Sequence, residues 1–322
     1  MWEYVCALRH APQDCRLALF RTLAPFVFTP APEPTTAAVC EFHSLEDYSF
    51  TYARLANLLG RPEQVPASGE IDFLRSIQNR SVHSVGAIGV SEYFFLTAVA
   101  SILAPVRAVE IGTSSGFSSA LLAAALQRRH PHGQVPFVDT IDLHSRYLVD
   151  QTKAIGFEIP DLLPHLPDSV RVHTSRESDF IGELAQRDEM AFFFIDADHQ
   201  HPWPLLDLLR VVPSARNAGW ILLHDIELGT MGANAKETGR PLSYGAPFGA
   251  EWLFNQWPFP KITGGNIGAL QLPLIKTAIV PTALKLMALP FEMDISSHRR
   301  MRHALYRTLV ELTKQRRDSD SS

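Results

Sequence analysis

Four short polar clusters stand out in this 322-residue sequence, each directly behind a run of apolar or β-branched residues. The first is Glu110-Ile-Gly112-Thr113-Ser-Ser-Gly116-Phe-Ser118. A strand that ends on glycine lets the backbone turn sharply. A second glycine at the start of a helix lets a ligand approach the exposed N–H groups there, which suit a carboxylate or a phosphate. The spacing lacks the middle glycine of the dinucleotide fingerprint, so a smaller anionic group is expected in place of a pyrophosphate. A plain tight turn would explain the glycines nearly as well.

The second cluster, Thr140-Ile-Asp142-Leu-His144, follows about one strand–helix unit later. At the carboxyl end of a parallel strand, Asp142 borders the crevice of a doubly wound sheet, where an acid can accept both hydroxyls of a ribose. Capping the next segment is the plainer role; the order strand, turn, helix, acid favours the ribose. The third and fourth clusters are Phe194-Ile-Asp196-Ala-Asp198-His199 and Leu223-His224-Asp225-Ile226. Adjacent strands would bring Asp196 and Asp225 together, and two carboxylates repel unless a proton or cation sits between them. An oxygen-rich site with neighbouring imidazoles and no cysteine suits Mg²⁺ or Mn²⁺ better than zinc. An isolated Asp-His pair is more often a cap; two at consecutive strand ends point to a site.

The elements that must position these residues fall into three zones. Residues 86–275 alternate short apolar runs (106–112, 137–143, 169–175, 190–197, 220–226) with helical patterns such as 117–129. Strands alternating with helices make βαβ units and a mainly parallel sheet, and the unbroken apolar runs are those of strands buried on both faces. Residues 1–85 read as a helical N-terminal extension, with Leu17, Phe20, Leu23 and Phe26 at helical spacing and Pro/Gly breakers at 29–36 and 60–69. Residues 276–322 read as a helical C-terminal extension, where Met301, Leu305, Leu309 and Leu312 form one stripe. Seven of the 29 basic side chains lie between Arg299 and Arg317. They make either a solvated face over a packed stripe or a helix for a membrane surface or partner, the first being favoured.

Composition excludes several classes. Hydrophobic residues at 46% provide a core, and 29 Lys+Arg against 34 Asp+Glu give no global attraction to nucleic acid. Cys6, Cys15 and Cys40 are too few and too clustered for a disulfide framework, so a reducing, cytoplasmic home is expected. The apolar stretch Tyr93–Val106 falls short of the roughly 20 residues of a membrane span. Glu3, Arg9 and Asp14 occupy the place of a signal peptide's apolar core.

EIGTSSGFS, TIDLH, FIDADH and LLHDI, in this order and spacing, resemble a class I S-adenosylmethionine-dependent methyltransferase. The nearest likeness is to metal-dependent small-molecule O-methyltransferases, including the natural-product and sugar branch. The resemblance covers about residues 86–226 and extends more weakly to 275 through NIGAL at 266–270. It implies a doubly wound, mainly parallel seven-stranded Rossmann-like sheet. It implies Glu110, Gly112, Thr113, Gly116 and Ser118 around the methionine part of the cofactor and Asp142 on the ribose. Glu177 and Ser178 would lie beside the adenine. Asp196, His224 and Asp225 would be metal ligands and His199 the general base, although His224 replaces the carboxylate of other members.

The reaction implied is direct methyl transfer to a small-molecule hydroxyl, assisted by Mg²⁺ or Mn²⁺. Two alternatives keep the fold: a hydroxylase-like or N-methylating relative, and an inactive cofactor-binding module acting as a partner protein. The glycine-rich segment 228–249 is expected to be an irregular lid, and 89–96 to close over the cofactor from the other side. Trp203, Trp252, Phe254 and Trp257 are candidates for an acceptor pocket, core being the commoner fate of such aromatics. The helical extensions are candidate surfaces for a homo-oligomer.

Overall fold

The unbroken apolar runs become the centre of one eight-stranded sheet. The structure, a computed structural model, describes residues 22–80, 88–130, 137–165, 167–185, 192–242 and 245–319. Cys6, Cys15, Leu17 and Phe20 lie outside the described residues. The strands are β1 (Ala38–Val39), β2 (Arg107–Ile111), β3 (Phe137–Asp142), β4 (Val170–Thr174), β5 (Phe192–Ile195), β6 (Trp220–His224), β7 (Lys261–Thr263) and β8 (Ile267–Gln271). Their spatial order is β1-β7-β8-β6-β5-β2-β3-β4. Every pairing is parallel except those of β8, which runs antiparallel to β6 and β7. The seven strands expected are β2–β8, and the two-residue β1 adds an eighth at one edge.

This order fixes where a ligand can bind. From β2 the chain runs outward to β3 and β4, then returns to lay β5 on the other side of β2. At such a reversal the helices on either side diverge and leave a crevice at the carboxyl ends of the strands. Gly112, Asp142, Asp196 and Asp225 each follow or end a strand at that edge.

Alternation along each central strand feeds two separate cores. Phe193 and Ile195 of β5, with Ile221 and Leu223 of β6, enter one core, while Phe192, Phe194, Trp220 and Leu222 enter the other. The second core is closed by α1 (Tyr48–Leu58), α2 (Glu70–Gln78), α3 (Val90–Leu103) and α4 (Phe117–Arg129). After the short α5 (Ile159–Leu162) and α6 (Ile181–Ala185), the first core is covered by α7 (Trp203–Val211). Beyond α8 (Leu228–Glu237), the helices α9 (Gly249–Gln256), α10 (Val280–Met287) and α11 (Ile295–Ser319) complete it. Segments from outside the central motifs therefore build both faces.

Particular expectations resolve here. Met301, Leu305, Leu309 and Leu312 are buried against the first core, so the terminal stripe is packing surface. Segment 228–249 is not irregular throughout: it opens as helix α8, braced where Glu251 accepts the Thr230 N–H at 2.8 Å. Phe254 and Trp257 are core residues. Among the described residues no helix is long and apolar enough to cross a membrane.

A buried ion pair joins three of the strands. Asp139 on β3 accepts Arg107 Nε and Nη2 at 3.0 and 2.9 Å and lies 2.7 Å from His173 Nε2 on β4. Removing the acid strands a buried guanidinium, which typically costs about 3–5 kcal/mol. Asp139→Ala is expected to lose stability of that order in urea unfolding monitored by tryptophan fluorescence, with Asp139→Asn losing less.

Candidate active site

The site begins where β2 ends. Gly112 has φ +96°, and a Cβ there would lie 1.8 Å from the carbonyl oxygen of Asp196. Only glycine lets the two strand ends approach this closely. The Asp196 N–H donates to Ile111 O at 2.8 Å, and the Gly112 N–H to Ile141 O at 2.8 Å, so β5, β2 and β3 are tied across the crevice.

Asp142 at the end of β3 holds this turn in place. Its Oδ2 accepts the N–H groups of Thr113 and Ser114 at 3.1 and 3.0 Å, and its Oδ1 accepts that of His144 at 2.8 Å. A carboxylate has roughly four lone-pair positions. Three are taken, which leaves one for a ligand hydroxyl rather than the two expected from the sequence.

Glu110 is fully buried, and its Oε2 accepts hydroxyl hydrogens from Ser119 and Thr140. Its Oε1 has no hydrogen-bond partner among the described residues. Burial raises its carboxyl to about 7, against the hydroxyls of Ser118, Ser119 and Thr140, which favour the ionised form.

A cavity of about 420 Å³ opens from this turn. Gly112, Asp142, Glu177 and Ser178 line one part, and Asp196 and His199 another. Glu110, Thr113, Gly116 and Ser118 are buried or turned away and form none of its lining. Ser178 donates to Asp207 and accepts from Arg210 Nη1 at 2.7 Å. Glu177 lies between Arg210 at 3.4 Å and Arg300 of α11 at 2.7 Å. Trp203 lines the same cavity. Trp252 stacks on Phe248 and forms none of this lining.

The second half gathers the Asp-His pairs of β5 and β6. One ligand atom from each of Asp196, His199 and Asp225 lies within 4.8 Å of the other two. His199 Nε2 stands 2.9 Å from Asp225 Oδ2 and 3.9 Å from Asp196 Oδ1. His224, expected as a metal ligand, is placed differently. Its Nδ1 faces Asp196 Oδ1 at 3.0 Å and its Nε2 faces Glu92 Oε2 at 3.2 Å.

Burial disfavours charge throughout this cluster, yet the pairing prevails. Contacts with Asp225 and Asp196 raise the pKa of His199, and those with Asp196, Glu92 and Asp225 raise His224 well above its usual value. The histidines in turn depress Asp225 to about 2. Asp225 also has φ +58°, a left-handed conformation that is costly without glycine. Its Oδ1 accepts the Asn266 amide, which helps to hold it.

Glu92 and Asn266 are site residues that motif reasoning did not assign. Asn266 opens the NIGAL run, whose weak likeness was the one signal available. Glu92 lies in the 89–96 segment, which meets His224 at the end of β6. Glu292 braces the site from behind. Its carboxylate accepts the His201 N–H at 2.7 Å and the Phe248 N–H at 2.9 Å, and its own N–H donates to His201 O at 2.8 Å. Gly249 N–H donates to His199 O at 2.9 Å.

Residues 109–226 match the model of a family described as Methyltransferase domain. Over that segment the chain is similar to methyltransferase domains. Its doubly wound sheet, with β8 antiparallel beside β6, is the fold expected of class I S-adenosylmethionine-dependent enzymes. None of the curated proteins matches the chain. Among solved structures, cofactor-bound Rv0187 from MTB is 21% identical with a TM-score of 0.42, over 63% of this chain and 88% of that one. The O-methyltransferase TomG from Streptomyces achromogenes, in complex with SAM, is 16% identical at 0.41, over 71% and 99%. An O-methyltransferase from Bacillus cereus, in complex with SAH, is 15% identical at 0.41, over 71% and 100%.

The buried Glu110 gives this fold a measurable pH signature. The unfolded chain releases this proton near 4.5, whereas the folded chain retains it to about 7. Its contribution to stability therefore falls as pH rises between those values. Glu110→Gln is expected to remove that slope, so thermal melts from pH 5 to pH 8 should show the variant gaining on wild type toward pH 8.

Proposed function

We propose that the protein transfers the methyl group of S-adenosylmethionine to a hydroxyl of a small molecule. The observation that carries this reading is the shared cavity, which runs from Gly112 and Asp142 to Asp196 and His199. A cofactor and an acceptor bound at its two ends would meet without leaving the site. The turn fits the cofactor: Gly112 and Ser114 line the cavity beside Asp142, which retains one lone pair for a ribose hydroxyl. Holding the two reactants in line supplies much of the rate of such a displacement.

The donor set fits a hard divalent cation as well. The Asp196 and Asp225 carboxylates, whose oxygens lie within 4.8 Å of each other, can share one ion at bond lengths of roughly 2.0–2.6 Å, with His199 beside it. Bound there, Mg²⁺ or Mn²⁺ would polarise the acceptor hydroxyl and lower its pKa.

His199 is the general base in this reading. It lines the cavity, and Asp225 accepts its Nε2–H at 2.9 Å. That tautomer leaves the lone pair on Nδ1, which takes the hydroxyl proton. Asp225 then steadies the imidazolium that results. The competing role for His199, a metal ligand through Nε2, rests on the same convergence and excludes base chemistry in that tautomer.

Two measurements test these statements. In calorimetry with S-adenosylhomocysteine, wild type is expected to bind and Asp142→Ala to bind at least about tenfold more weakly; equal binding overturns the cofactor assignment. Mn²⁺ titration of His199→Ala separates base from ligand. Retained affinity supports the base, and loss similar to that of Asp196→Ala makes His199 a ligand.

A further inference from the structure

We propose that Glu92 is a positioning residue of this site: from α3 it holds His224 as a strut that aims the Asp196 carboxylate. The proposal rests on the cation reading given above.

Glu92 precedes the matched methyltransferase segment and sits in the first turn of α3. Its Oε2 accepts the Gly89 N–H, so the carboxylate is anchored to its own helix start before it reaches anything else. The same oxygen lies 3.2 Å from His224 Nε2. Capping a helix does not require this second contact, nor the burial that leaves the Glu92 side chain 15% exposed.

His224 closes β6 with its side chain 8% exposed. Its Nδ1 faces Asp196 Oδ1 at 3.0 Å, with Asp225 Oδ1 3.5 Å away. The His199 and Phe194 rings stand edge-on to it, each with its centroid 6.4 Å away. An ionised carboxylate accepts hydrogen bonds and donates none. Both ring nitrogens are engaged by carboxylate oxygens, Asp196 on one side and Glu92 on the other. The position that resembles a metal ligand in sequence is thus occupied by a buried ring held at both ends. One end is set by Glu92, so the other end has a fixed place at which to hold Asp196.

Residues that orient metal ligands change metal affinity by about 10- to 100-fold when removed. The probe is Mn²⁺ alone, titrated into the full chain and followed by electron paramagnetic resonance, with S-adenosylhomocysteine calorimetry in parallel. Glu92→Leu is expected to weaken Mn²⁺ binding about tenfold or more and to leave S-adenosylhomocysteine affinity within about twofold. Glu92→Gln, which still offers an oxygen to Nε2, should recover most of the Mn²⁺ affinity. A purely structural role would lower affinity for both ligands together without rescue, and that result overturns the proposal. If Glu92→Leu does not fold, His224→Gln takes its place: a tenfold loss supports the strut and unchanged Mn²⁺ affinity overturns it. Wild type that binds Mn²⁺ as Glu92→Leu does overturns this proposal alone. Wild type that binds no Mn²⁺ overturns the cation reading and this one with it.

Discussion

The backbone of Asp196 passes so close to that of Gly112 that no side chain fits between them, and one hydrogen bond from the Asp196 N–H to Ile111 O joins the two strand ends. Most of the proposed site hangs on this contact. It brings the turn behind β2 and the acidic end of β5 to one cavity although they are distant in sequence. The reversal of strand order forces the crevice to open there, and the glycine sets how near its two walls can stand. Asp142 then fixes the third side by gripping the amides of the turn.

Around that junction the helical ends of the chain are building material. The N-terminal helices close one core and the C-terminal helices the other. A buried network helps to dock the N-terminal side: Glu70 accepts the hydroxyls of Tyr48 and Ser101, and Arg129 reaches Ser101 and Tyr52. On the opposite side Arg300 of α11 meets Glu177 at the cavity wall. The central motifs are thus embedded in segments that carry no motif of their own.

The sheet was legible because buried parallel strands cannot alternate: AFFFI and WILL have to be apolar on both faces, and their order follows from the helices between them. Asp142, Asp196, His199 and Asp225 were legible because a strand end has a defined side of the sheet. The partner of His224 was not. Glu92 reaches it from a helix distant in sequence, and its spacing from the β6 motif obeys no local period. The carboxylate chemistry of Asp142 was readable only in kind, since the number of amides competing for its lone pairs depends on the turn's tertiary shape. Segment 228–249 misled because its glycines signal irregular backbone, whereas Gly229 and Gly232 are needed for close helix packing against Phe248 and Ala246.

Glu292 gives the molecule a temporal order as well as a spatial one. The loop that follows His199 receives two of its backbone partners from this residue, which lies far beyond the end of the methyltransferase segment. A ribosome releases the chain from its N-terminus, so every motif of the fold emerges before the brace that steadies the loop. The nascent sheet can form while the loop around His201 still lacks those partners. Completion of the loop in this way waits for Glu292 to be made.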